Sequence, residues 1–242
     1  MKAIILAAGR GSRMKKLTDD QPKCLLEING KPLVKWQIAA IRQSKIEEIG
    51  IVTGYKREML ENLGLFEFHN NRWYETQMVY SLCCANKWLE QTSCIVSYSD
   101  IFYETSAISS LIESTEEIAI TYDPNWQQLW EKRFADPLLD AETFRLNENG
   151  TLREIGRKPQ KLIDIEGQFM GLLKFSPTGW NLFKNIWYGI PVKERTEIQM
   201  TQMLQEVVVK YNGIIKTIPY RPNWFEIDSE SDLDLTKKTM HI

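Results

Sequence analysis

The chain has 242 residues, with 30 Lys and Arg against 32 Asp and Glu, for a net charge of −2. That length can bury a large core, and the charge balance excludes a global field that would draw the molecule to nucleic acid or to a membrane surface. No apolar run approaches the ~20 residues of a membrane span. Met1-Lys2 leads into an apolar run too short for a signal h-region. The cysteines, Cys24, Cys83, Cys84 and Cys94, lack zinc-ligand spacing and read as reduced thiols. A cytoplasmic protein is expected.

In chain order, the apolar run 3–7 predicts a strand buried on both faces. A long loop, 8–31, follows, and Pro32 opens a helix carrying Leu33, Trp36, Ile38 and Ile41. Residues 49–53 predict a second strand, 56–63 a short helix, and 67–74 a polar irregular stretch. Met78, Leu82, Ala85 and Leu89 share one helix face. Residues 94–98 and 118–122 predict two more strands, with a helix between them around Ile108 and Leu111. Alternating strands and helices argue for a parallel sheet with right-handed crossovers. In the second half, 141–146 and 151–156 flank the turn Asn147-Glu148-Asn149-Gly150 and predict a hairpin. A strand at 169–175, helices from Pro177 and over 197–210, and strands at 214–218 and 224–227 complete the pattern. With no linker, residues 1–242 are expected to form a single α/β domain with a nucleotide-binding half, 1–122, and an acceptor-binding half, 123–242.

The opening loop concentrates Arg10, Arg13, Lys15, Lys16 and Lys23 on a near-neutral chain, which points to a small anionic ligand. It is neither a dinucleotide fingerprint, because Met14 stands where the third glycine belongs, nor a P-loop. Glycine nevertheless lets backbone N–H groups approach phosphate oxygens. Arg13 can grip two of them at once. Lys23 follows Pro22, where the chain is restrained. Placed on a loop, Lys23 is expected to matter to rate and little to stability.

The run Leu6-Ala7-Ala8-Gly9-Arg10-Gly11-Ser12-Arg13-Met14, with Thr18 and Pro22-Lys23, resembles the signature L-A-A-G-x-G-x-R…P-K of sugar-nucleotide-type nucleotidyltransferases. The family implies a Rossmann-like, mostly parallel sheet flanked by helices, of the nucleotide-diphospho-sugar transferase type, with a small acceptor-side β lobe. It implies that Gly9 and Gly11 cradle phosphates, that Arg13 contacts the β- and γ-phosphates, and that Lys23 holds the α-phosphate. Lys16-Leu17 stands where the family often has Pro-Leu.

Nucleotidyl transfer needs charge neutralisation, usually by Mg²⁺ held by one or two carboxylates. Asp100 follows a predicted strand at its C-terminal end, where open parallel sheets bind ligands. The resemblance implies that Asp100 and Asp228 hold this metal. Asp232, at a capping-box position after Ser229, is read as structural.

The chain is most similar to small cytidylyltransferases acting on phosphocholine or related phosphonates. Residues 71–74 and 77–82 resemble the segment that approaches the base, which implies contacts from Gln77, Tyr80 and Ser81, with the backbone near Ala7 and Ala8. For the acceptor, positive charge could come from Lys158 and Lys174. Tyr122, Trp126, Trp130 and Trp224 could cage a quaternary ammonium, and Asp140 and Glu142 could instead pair with a primary ammonium.

The expected function is transfer of CMP from CTP to a small phosphorylated alcohol or phosphonate, with release of pyrophosphate. The partners are CTP and that acceptor, with neither nucleic acid nor membrane; a homodimer is compatible with this reading. An acceptor oxygen that is already anionic needs no general base, in keeping with a chain whose only histidines are His69 and His241. The rivals are a hexose-1-phosphate uridylyl- or thymidylyltransferase and a non-catalytic nucleotide sensor. The intact set Arg13, Lys23, Asp100 and Asp228 argues against the sensor.

Overall fold

The structure, a computed structural model, describes residues 1–239; His241 lies outside them. Seven strands form the central sheet: β1 (Lys2–Ala7), β2 (Ile49–Thr53), β3 (Phe66–His69), β4 (Cys94–Tyr98), β5 (Ile118–Asp123), β6 (Gln168–Phe175) and β7 (Ile215–Pro219). Their order across the sheet is β7-β5-β6-β4-β1-β2-β3. The pairs β1–β2, β1–β4, β2–β3 and β5–β7 are parallel. Among the described residues, only β6, wedged between β4 and β5, runs antiparallel to both its neighbours.

The strands pack helices on both faces because their side chains alternate. Ile4 and Leu6 point into one core cluster while Ala3, Ile5 and Ala7 point into the other. Helices α1 (Leu33–Gln43) and α4 (Thr105–Glu113) cover the second face through Val34, Ile38, Ile41, Ile108 and Leu111. The first face is covered by α2 (Met78–Cys84), α3 (Asn86–Gln91), α6 (Pro177–Gly189) and α8 (Met200–Lys210). The remaining helices are α5 (Trp126–Arg133), α7 (Val192–Arg195) and α9 (Glu230–Thr239). Helix α6 begins where Ser176 accepts a hydrogen bond from the Gly179 N–H and Pro177 takes the first turn. The hairpin of the acceptor side is shorter than predicted, Phe144–Leu146 against Leu152–Ile155, and it is tied to α8 by the Ile155 N–H to Gln205 Oε1 bond of 2.8 Å.

Several predicted elements change. Residues 67–74 do not begin irregularly: Phe66–His69 is the edge strand β3. An edge strand has one neighbour and one covered face, so it shows no continuous apolar run; here Phe66 and Phe68 pack on Trp88 from one side. The helix over 78–89 is two helices, broken at Ala85. The loop 8–31 holds two 3₁₀ segments, Ser12–Thr18 and Lys23–Leu25, and a small ladder between Glu27–Ile28 and Lys31–Pro32. The helix predicted over 56–63 is a 3₁₀ segment, Arg57–Leu63, and the one over 197–210 starts only at Met200. Helix α5 was not foreseen.

Candidate active site

The opening loop leaves β1 at Ala7 and folds back over the C-terminal edge of the sheet. Gly11 adopts φ 72°, and a Cβ there would lie 2.8 Å from Lys23 Cδ and 2.9 Å from its Cβ. Glycine therefore permits both the left-handed turn and the close crossing over Lys23. Met14, fully buried among Leu26, Ile28 and Leu33, anchors the loop from beneath. Thr18 Oγ1 donates to the Gly11 carbonyl at 3.1 Å. The Tyr55 hydroxyl lies 2.9 and 2.6 Å from the Thr18 and Asp19 carbonyl oxygens.

Asp100 and Asp228 are far apart in sequence, and a short ladder brings them together. Ile101 pairs with Glu226 and Phe102 with Phe225, and the Ile227 N–H donates to the Asp100 carbonyl at 2.9 Å. The turn bearing Asp100 is braced by Gln37 of α1, whose Nε2 donates to the Tyr98 and Ile101 carbonyls at 2.7 and 2.6 Å. Lys23 reaches both aspartates, with Nζ 2.8 Å from Asp100 Oδ2 and 2.6 Å from Asp228 Oδ1. Arg13 Nη2 meets the same Asp228 oxygen at 2.9 Å, with most of its side chain in solvent. Asp100 Oδ1 is buried without a hydrogen-bond partner.

These contacts set the charges. Burial alone would lower the Lys23 pKa, but Asp100 and Asp228 outweigh it and hold the ammonium form beyond its ordinary range. Burial likewise opposes charge on Asp228, and Lys23 and Arg13 overcome it to keep this carboxyl below its usual range. Glu226, buried and beside Asp228, is pushed up. Asp232 accepts from the N–H groups of Asp228 and Ser229 at 3.1 and 2.9 Å, as a cap for α9 should.

Two hollows lie side by side, and the larger opens on this cluster. The smaller, of about 130 Å³, is lined by Leu6, Ala8, Gly9, Gln77 and Ser81, with Trp73 on its wall. The larger, of about 290 Å³, runs from Arg13, Asp100 and Asp228 to Trp130, Asp140 and Glu142. Met78 and Gln199 border both. The wall of the larger cleft depends on a bulge in β6: Gly171, at φ 77°, leaves room for the Tyr98 ring, which a Cβ would strike at 2.6 Å.

The expected site residues divide accordingly. Arg13, Lys23, Asp100 and Asp228 come together. Leu6, Ala8, Gly9, Gln77 and Ser81 share the small hollow, Ala7 ends β1, and Ser12 opens the first 3₁₀ segment. Tyr80 turns away, edge-on to Trp187 and beneath Arg72. Trp130, Asp140 and Glu142 line the cleft. The aromatic cage does not form. Trp126 and Trp224 are buried, with indole N–H groups donating to the Ile165 carbonyl and to Asp123, and Tyr122 stacks on Phe144 in the opposite core cluster. Trp130 alone of the four borders the cleft, and its N–H is taken by Asp140 Oδ2 at 3.2 Å. Lys158 donates to the Leu138 and Leu139 carbonyls. Lys174 lies at the other end of β6, beside the first residues of β4 and β5, and donates to the Ser114 carbonyl. At about 3.3 Å per residue, it stands about 20 Å along the strand from Gln168, so it cannot serve the cleft that Gln168 lines. His69 sits on β3 beside Thr53. Sequence reasoning missed Gln37, Gln199, Thr201 and Arg133. An unexplained glutamine on the buried face of α1 was the one available signal among them.

Residues 3–161 match the family described as the MobA-like NTP transferase domain. The chain is 39% identical over a 253-residue alignment to the CTP:phosphoglutamine cytidylyltransferase of Campylobacter jejuni, covering 97% of this chain and 98% of that one. The choline-phosphate cytidylyltransferase of Streptococcus pneumoniae is 32% identical over 119 residues, 48% of this chain and 52% of its own. Among solved structures, the inositol-1-phosphate CTP transferase from T. maritima superposes with a TM-score of 0.76 at 21% identity, covering 100% of this chain and 97% of that one, a likeness of fold. Among the described residues no helix is long and apolar enough to cross a membrane.

Proposed function

We propose, from the premise that this chain belongs to the MobA-like NTP transferase family, that it is a cytidylyltransferase joining CMP from CTP to a small phosphorylated or phosphonate acceptor. The observation that carries this reading is a cleft that opens on Arg13, Asp100 and Asp228, with Lys23 held between the two aspartates, and that shares Met78 and Gln199 with a hollow at Gly9. The small hollow takes the base, where Gln77, Ser81 and the backbone at Ala8 offer polar groups to its edge. Gly9, Gly11 and Ser12 run beside the triphosphate, Arg13 takes its β- and γ-phosphates, and Lys23 its α-phosphate. Residues 1–122 supply most of the nucleotide seat and 123–242 most of the acceptor seat, within one domain.

The donor set suits Mg²⁺. Asp100 and Asp228 converge on one point, now filled by the Lys23 ammonium, and Asp100 Oδ1 has a buried lone pair unspent. Among the described residues no group of three or more His, Cys, Asp or Glu could hold a metal, as suits an ion that arrives with phosphate and water for its remaining ligands. Mg²⁺ bound there would supply neutralisation of the triphosphate charge.

The acceptor's anionic oxygen attacks the α-phosphorus, forming a P–O bond as the bond to the β-phosphate oxygen breaks and pyrophosphate leaves. No proton moves, so the chain contributes position and electrostatic stabilisation. Lys23, free to shift from carboxylate to phosphate, meets the charge that builds at the α-phosphate. At the far end of the cleft, Asp140 and Glu142 have no cationic ion-pair partner among the described residues. An acceptor whose tail bears N–H donors, an amine or amide, matches them better than a quaternary ammonium, since the tryptophan faces are spent in packing. Pyrophosphate release from each of the four NTPs against phosphorylated amines, alcohols, phosphonates and hexose 1-phosphates tests the reading. Best turnover with UTP and a hexose phosphate would replace it.

A further inference from the structure

The cleft and the metal ligands are joined by one residue that the mechanism does not yet use. Arg133 ends α5, and its side chain is 1% exposed. Its Nη1 donates to Glu226 Oε2 at 2.9 Å, its Nε to Asp232 Oδ1 at 2.9 Å, and its Nη2 to Asp232 Oδ2 at 3.3 Å. The same Nη2 stands 3.8 Å from Asp228 Oδ2. Asp228 is thus held from two sides: Lys23 and Arg13 sit on Oδ1, and Arg133 faces Oδ2. Through Asp232, which accepts from the N–H groups of Asp228 and Ser229, Arg133 also fixes the backbone from which Asp228 projects.

On its other side the guanidinium lies over the Trp130 ring, 5.0 Å from its centre. Trp130 borders the acceptor cleft and donates to Asp140. A planar fork with fixed donor directions can serve three carboxylates and an aromatic face together, whereas a lysine ammonium is a single point of charge. A bare packing role would not require this arrangement, because burying an arginine among three acids is costly unless every contact is satisfied.

We propose that Arg133 is a positioning residue. It sets the carboxylate of Asp228 in the orientation that receives the metal, and it locks that carboxylate in register with the acceptor wall formed by Trp130 and Asp140. This rests on the reading that Asp228 is a metal ligand. Groups that orient metal ligands typically change metal affinity or activity by about 10- to 100-fold when altered.

The test uses Arg133→Lys and Arg133→Gln in the full chain, with Asp228→Asn as control. Mn²⁺ binding in the presence of CTP is followed by electron paramagnetic resonance, alongside kcat, the KM for CTP and the melting temperature. Arg133→Lys should bind Mn²⁺ about 10-fold more weakly and lose about 10- to 100-fold in kcat, with the KM for CTP within about twofold of wild type. Arg133→Gln, if it folds, should be worse in both; if it does not fold, the lysine variant decides. A lysine variant that melts lower yet keeps wild-type Mn²⁺ affinity and kcat overturns the proposal and leaves Arg133 a structural brace. Retention of Mn²⁺ affinity in Asp228→Asn would remove the metal assignment itself, and this proposal with it. Loss there but not in Arg133→Lys removes the proposal alone.

Discussion

Lys23→Met should destabilise the protein as well as silence it. The side chain of Lys23 is 9% exposed, and its Nζ contacts both Asp100 and Asp228. The two carboxylate oxygens, 2.8 and 2.6 Å from that one atom, are at most 5.4 Å apart. Without the ammonium they repel at short range. At an effective dielectric of about 20 and about 5 Å, the repulsion is about 3 kcal/mol, in line with the 3–5 kcal/mol typical of removing one partner from a buried ion pair. Arg13 and Arg133 remain beside Asp228, so the lower end applies. For a chain of this size that is a fall in melting temperature of about 6 to 12 °C. Divalent metal should recover part of the loss, and should raise the melting temperature of Lys23→Met more than that of wild type, where the ion must displace Nζ. Thermal melts with and without millimolar Mg²⁺ read both effects. Melting within 2 °C of wild type in metal-free buffer would show that the two carboxylates do not depend on Lys23. This reverses the expectation from sequence, which took a loop position to mean a free side chain. At 25 °C, where the variant stays folded, kcat should still fall by about 10²-fold or more, the scale of one lost preorganised stabilising group.

Other outcomes follow from the same geometry. Asp100→Asn and Asp228→Asn should each remove most activity, and the double variant should be little worse than either, as for residues acting as one unit; multiplying defects in pyrophosphate release would separate them. CTP should be the preferred donor, because a base edge read by hydrogen bonds leaves polar groups unpaired with the wrong base; equal kcat/KM for UTP would contradict the proposed base seat. Burial, followed by the neighbouring Asp140, raises the Glu142 pKa, so this carboxylate gains its proton at a higher pH than an ordinary glutamate. For a cationic acceptor KM should therefore be lowest above that pKa and rise as the pH falls through it. Glu142→Gln should raise KM by about tenfold at neutral pH and flatten the profile; an unchanged KM would place the acceptor's tail elsewhere.

Much of the scaffold is visible in the chain itself because parallel strands buried on both faces leave unbroken apolar runs, as at β1, β2, β4 and β5. β3 was lost to its own position: at the sheet edge His69 is exposed and Glu67 is only partly covered, so polar residues alternate with Phe66 and Phe68 and the run looked irregular. The motif residues of the loop were legible as a set, since their spacing is local. What joins them was not. The pairing of Lys23 with Asp100 and Asp228, and the hold of Arg133 on Asp232, depend on a two-residue ladder that no periodicity announces. The aromatic cage failed because an indole N–H seeks a buried acceptor, and Trp126 and Trp224 found theirs inside. Lys174 failed because a strand's residue pattern does not reveal its direction, and β6 runs against its neighbours.

That inverted strand has a consequence for synthesis. β4 and β5 both precede it by many residues, yet they do not pair with each other, because β6 lies between them. A nascent chain that has emerged only through Asp123 would hold β4 with an open, apolar flank, a template for unwanted pairing with another chain. The sheet closes only after Phe175 is out, and β7 cannot join until Pro219 follows. β4 and β5 therefore wait for strands that are made later, and a cut after Asp123 would leave them on one piece with β6 and β7 on the other.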